Sequence, residues 1–88
     1  MLSPETLAHL KEFRTLKFDY QEKKFDEMTY RAKLVQLYAK VDPVNHNSWL
    51  QYYKDKCCDA IGYELNCINE IRVLMAKYED MIIEEALA

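Results

Sequence analysis

One glycine and two prolines in 88 residues leave almost none of the turn residues that a β-sandwich or barrel uses about every 8–12 positions. That scarcity excludes an all-β fold and predicts a few long helices. A single glycine also excludes a glycine-rich phosphate cradle. No apolar run approaches the ~18 residues of a membrane span, and the segment Met1 to Glu5 has neither the basic nor the apolar part of a secretory leader. A cytoplasmic protein is expected, or one in the host cytoplasm if the source is viral. Three cysteines, Cys57, Cys58 and Cys67, are an odd and sparse set that provides no disulfide scaffold and fits a reducing compartment.

The composition otherwise favours folding. Half the residues are hydrophobic and 31% charged, far from the balance of disordered chains, and the length suits one domain spanning 1–88. The net charge of -3 is uneven. Residues 1–41 carry 8 basic against 6 acidic side chains, residues 42–88 carry 4 against 9, and the last ten include Glu79, Asp80, Glu84 and Glu85 with no base.

Apolar spacing predicts an all-α, three-helix assembly: two shorter N-terminal helices and one long C-terminal helix, forming a helical bundle or a coiled-coil-like dimer. Helix A, about 4–23, opens on Ser3 as N-cap with Pro4 at the first helical position; Leu7, Leu10, Phe13, Leu16 and Tyr20 make its apolar face. Helix B, about 27–41, follows Asp26 and presents Tyr30, Leu34, Leu37, Tyr38 and Val41. Asp42–Pro43 is read as its stop and residues 42–47 as a loop. Helix C, about 48–85, runs through Gly62 as a rod of roughly 50 Å.

Its apolar arc is nearly half the circumference, wider than helices A and B can cover. An uncovered strip of Ile68, Ile71, Met75, Tyr78 and Ile82 predicts a homodimer through the C-terminal half of helix C. Glu64 falls inside that arc, where a charge needs a basic partner from helix A, helix B or a second chain; it is the candidate register-setting charge.

Chemistry-bearing constellations are few. The cysteines cannot converge on one ion within a helix, there is no CxxC or HxxxH pair, and His9 and His46 lie in other segments. No nucleophile has a base and an oxyanion site in sequence reach. The expectation is a protein that is not an enzyme, without cofactor or metal. Tyr52 and Tyr63, near Asp59 and Glu70, project from the far side of helix C and form the candidate partner-binding face, since tyrosine gives large contact area at small entropic cost.

The stretch Phe25 to Leu37, FDEMTYRAKLVQL, resembles short helical oligomerisation segments of bacterial proteins over those 13 residues and assigns no family. The tyrosine-rich composition without catalytic motifs resembles that of accessory inhibitors made by phages and other mobile elements. Together these readings predict a non-enzymatic protein–protein interaction module, a viral or mobile-element type of inhibitor or regulator that occludes a host protein or complex. The alternative is a regulator of nucleic-acid transactions using Lys11, Arg14, Lys17, Lys23, Lys24, Arg31 and Lys33 of helices A and B; direct contact with DNA or RNA is disfavoured by the acidic balance and interspersed carboxylates.

Overall fold

The computed structural model describes residues 2–56 and 59–88. Among them the chain is all-helical: α1 (Pro4–Gln21), α2 (Glu27–Val41), α3 (Pro43–Lys56) and α4 (Ala60–Leu87). No helix among the described residues is long and apolar enough to cross a membrane.

Each start has a local cause. The Ser3 hydroxyl accepts from the Thr6 amide at 3.1 Å, with Pro4 in the first turn of α1. Asp26 Oδ1 accepts from the Thr29 amide at 2.8 Å, and that bond holds the Asp26 carboxyl below its ordinary pKa. Phe25, just before the cap, lies with its ring 6.2 Å from that of Tyr30, a hydrophobic staple that fixes the entry to α2. At the end of α1, Lys23 takes φ 60°. Its amide bonds Tyr20 O, and that of Lys24 bonds Asp19 O, each at 3.0 Å, the Schellman pattern that glycine usually fills.

Helices A and B of the sequence reading agree with α1 and α2 to within two residues. Helix C does not survive, and the three-helix expectation is corrected to four helices among the described residues. Pro43 starts α3 rather than merely ending α2. Asp42 caps the new helix, its Oδ1 accepting from the Asn45 amide at 3.3 Å, and proline loses nothing at a first-turn position whose amide needs no helical partner. The predicted loop at 42–47 is therefore mostly the first turn of a helix. The rod then breaks: Asp59 has extended φ/ψ and its Oδ1 accepts from the Gly62 amide at 2.9 Å, so that α4 begins afresh. A Cβ on Gly62 would collide with Asp59 Oδ2 and sit 3.1 Å from Tyr53 Cε1. The glycine thus marks close packing behind the cap rather than a kink in a continuous helix.

Contacts fix the topology. Lys40 Nζ pairs with Glu12 at 2.9 Å and the Tyr20 and Tyr30 rings stack at 4.4 Å, which places α1 antiparallel to α2. Arg14 of α1 pairs with Glu79 of α4 at 3.1 Å. α3 folds back beside the first turns of α4, bringing His46 to Tyr63. The core lies between α2 and α4, with Leu10 of α1 entering it. Leu34, Leu37, Tyr38, Cys67, Ile71 and Met75 are all essentially inaccessible, and α3 contributes no fully buried residue.

This packing corrects the predicted exposed strip. Ile68, Ile71 and Met75 are buried in the chain's own core, and Tyr78 and Ile82 are half-buried against it. The three buried residues are already covered by α1 and α2, so they are not the open apolar surface on which the sequence-based case for a dimer rests.

Candidate protein-docking site

The break before α4 creates a corner. α3 carries Trp49, Leu50, Tyr52 and Tyr53 on successive turns, and folding back against α4 sets Leu50 and Tyr53 beside Asp59, Ala60 and Tyr63. The Tyr52 ring meets Trp49 edge-on at 5.9 Å and Tyr53 at 5.2 Å; Tyr53 lies 6.3 Å from Trp49 and 6.4 Å from Tyr63. Such edge-to-face contacts rigidify aromatic side chains beyond what area burial does. Tyr52 remains 50% exposed at the rim.

Beyond Tyr53 a cavity of about 250 Å³ opens between α3 and α4, lined by Leu50, Tyr53, Lys54, Asp59, Ala60 and Tyr63. Its walls are largely ring and aliphatic carbon. The volume falls short of the roughly 300–1,000 Å³ of small-molecule clefts and suits a protruding apolar side chain.

Of the residues singled out from sequence, Asp59 and Tyr63 come together here, while Tyr52 lies on the far side of Tyr53 and does not line the cavity. Glu70 does not join them: it lies 11 residues beyond Asp59, about 16 Å along α4. Tyr63 is also not the free outer tyrosine that its spacing predicts. α3 covers it, leaving it half-buried with its hydroxyl hydrogen-bonded to His46 Nε2. Trp49 and Tyr53, which complete the corner, are not among the residues singled out from sequence; the aromatic density of Trp49–Tyr53 is the available signal. Cys57 and Cys58 lie outside the described residues.

Below the corner, burial shapes the polar groups. The Tyr63 hydroxyl is pushed above its ordinary pKa by burial and by its contact with Cys67. Burial lifts the Cys67 thiol to about 11, the Tyr63 bond pulling down against it and Glu70 adding to it. Tyr38 rises to about 12 through burial, then through Asp42, Glu70 and Cys67. Cys67 is thus held as an un-ionised thiol, the opposite of an activated nucleophile, and His46 engages the tyrosine oxygen. No group of three His, Cys, Asp or Glu side chains among the described residues is placed to hold a metal ion.

Glu64 is paired: Arg31 Nε of α2 reaches its Oε1 at 2.7 Å, tying α2 to α4 within one chain. Several basic residues of α1, α2 and the turn between them are engaged as well. Arg14 pairs with Glu79, Lys24 with Asp19 at 3.2 Å and Lys40 with Glu12, while Lys33 Nζ lies 5.6 Å over the Phe25 ring. Comparison of the chain with protein families, curated proteins and solved structures finds no match.

Proposed function

We propose that the chain is a non-enzymatic protein-binding module that covers part of a larger protein's surface and docks through the aromatic corner between α3 and α4. One observation carries this reading: Tyr53, packed edge-on against the half-exposed Tyr52 and set beside Tyr63, forms one wall of an open apolar cavity of side-chain size. Rigid aromatics around a pocket are where binding energy concentrates in protein interfaces. The partner chemistry follows from the lining: an apolar anchor residue enters between Leu50, Tyr53 and Tyr63, with polar groups on the partner meeting Lys54 and Asp59 at the rim. Inhibition by occlusion is the activity such a small, rigid surface suits. A nucleic-acid role is weaker, because Arg14, Lys24 and Arg31 already face carboxylates rather than an open phosphate-binding track.

The test is capture from host lysate with the intact protein and three variants. Tyr52→Ala removes the rim aromatic. Ala60→Glu blocks the cavity while placing an acid in the first turn of α4, where the helix dipole favours it. Val73→Ala is an exposed control on α4. A protein retained by the parent and the control, resistant to nuclease, and weakened about 30-fold or more by each corner variant supports the reading. Equal capture by all four, or capture abolished by nuclease, refutes it.

A further inference from the structure

The outer face of α4 carries a second feature, independent of the corner. At 100° per residue, Leu65, Asn69, Arg72, Ala76, Asp80, Ile83 and Leu87 form a single stripe, and every one of them is exposed. Leu65, Ile83 and Leu87 are large apolar side chains left open to solvent, Leu87 at 83%. Leu65, Ala76 and Leu87 are spaced 11 residues apart, three helical turns, so the stripe runs almost straight along the helix.

The stripe's residues fall in three pairs equidistant from Ala76, two of them complementary and the third Asn69 with Ile83. Leu65 and Leu87 lie eleven residues on either side, Arg72 and Asp80 four on either side with opposite charge. We infer that α4 pairs antiparallel with α4 of a second copy of this chain, Ala76 meeting Ala76 on the two-fold axis. Leu65 then packs on Leu87 of the second copy, and Arg72 reaches its Asp80, each contact made twice, as a closed two-fold interface requires. Asn69 stands beside Ile83 of the second copy. The small residue at the axis lets the two helices approach closely.

Charge supports this occupant over others. Lys17, Arg72 and Asp80 have no ion-pair partner among the described residues. Beside the stripe, between α1 and α4, runs a groove of about 490 Å³ lined in part by Lys17, Phe18, Arg72 and Ala76. Asp80, which the pairing brings to Arg72, is the acid on the stripe whose charge matches that groove. The same chain therefore supplies both the bases and the acid that meets them.

Light scattering on a sizing column tests the pairing. The parent is expected to rise from its chain mass of 10.5 kDa toward twice that value as concentration increases to about 0.5 mM, the range of weak association. Arg72→Asp leaves two acids facing each other at each of the paired positions, and Asp80→Arg leaves two bases there, so each variant alone stays at one chain mass. Mixed, one copy contributes only acids and the other only bases, both opposite-charge pairs return, and the two variants associate. Ala76→Glu and Ala76→Lys, monomeric apart and associated together, test the axis independently of the Arg72 pair. All three positions changed are exposed, and far-UV circular dichroism checks each fold. A parent that remains at one chain mass throughout overturns the inference, as do charge variants that associate like the parent or mixtures that stay monomeric.

Discussion

Replacing Ile71 with alanine separates a core residue from an interface residue. Ile71 is fully buried between α2 and its own helix. Truncation to alanine removes three carbons, roughly 2.4 kcal/mol at about 0.8 per buried methylene. The cavity left in a packed interior raises the total toward about 3–4 kcal/mol, inside the usual range for such changes. Against a total stability of about 4–13 kcal/mol for a chain of this length, that is a quarter or more of the whole. In urea, with a slope of about 1–1.5 kcal/mol/M for so small a domain, the midpoint falls by about 2 M or more. Val73→Ala, on the same helix but 69% exposed, stays within about 0.5 kcal/mol of the parent. The melts are run at two protein concentrations tenfold apart. Were Ile71 an interface residue of a dimer, its loss would lower the mass of the species in solution and make the midpoint depend on concentration. A midpoint within about 0.5 M of the parent, or a defect that disappears at the higher concentration, refutes the intrachain core.

Asp59→Ala removes the cap that restarts the chain as α4 and is expected to cost about 1 kcal/mol in a urea melt. Lys23→Gly relieves the left-handed position at the end of α1 and should stabilise by about 1 kcal/mol, read as a rise in Tm. A double-mutant cycle on Arg31→Met and Glu64→Leu should give a coupling of no more than about 1 kcal/mol that shrinks in 1 M salt, because both side chains are about a third exposed. Stability should fall as pH climbs through roughly 9–12, since Cys67 and Tyr38 ionise in the unfolded chain near 9.0 and 10.0 but only near about 11 and 12 when folded. The unfolded state then binds fewer protons and is favoured. Urea melts at pH 8 and 10.5 check the sign, and Cys67→Ala with Tyr38→Phe should flatten the slope.

The first half of the fold is legible because caps and apolar periodicity agree there. Ser3–Pro4 and Asp26 name the starts of α1 and α2, and Leu10, Tyr30, Leu34, Leu37 and Tyr38 are buried as their spacing implies. The second half misleads at two points with one cause. Asp42–Pro43 is the same cap-plus-proline pair as Ser3–Pro4, yet beside the end of α2 it reads as a stop, and a proline serves equally well as either. Asp59 interrupts a run whose apolar spacing carries on in phase from Tyr53 to Ile61 and Leu65. Periodicity therefore cannot register the break, and only the Asp59-to-Gly62 spacing of a capped, glycine-backed turn carries the signal. Trp49 and Tyr53 escape notice as site residues for the same reason, since what they face depends on α3 turning back.

The width of the apolar surface on α4, by contrast, is sound in the sequence even though its continuity is not. One neighbour cannot cover nearly half of a helix's circumference, and here three helices share the task. α2 takes the centre at Cys67, Ile71 and Met75, α3 folds over Tyr63, and α1 closes along Tyr78 and Ile82 only as far as the Arg14–Glu79 pair allows. α1 touches α4 least of the packed pairs, so the flank beyond it keeps Leu65, Ile83 and Leu87 in solvent. The excess apolar area that suggests a partner thus belongs to the outer stripe rather than to the buried one. Breaking the rod moves the unpartnered surface by about a third of a turn around the helix, and the residues it moves onto carry opposite charges placed symmetrically about a small one, which the buried strip does not.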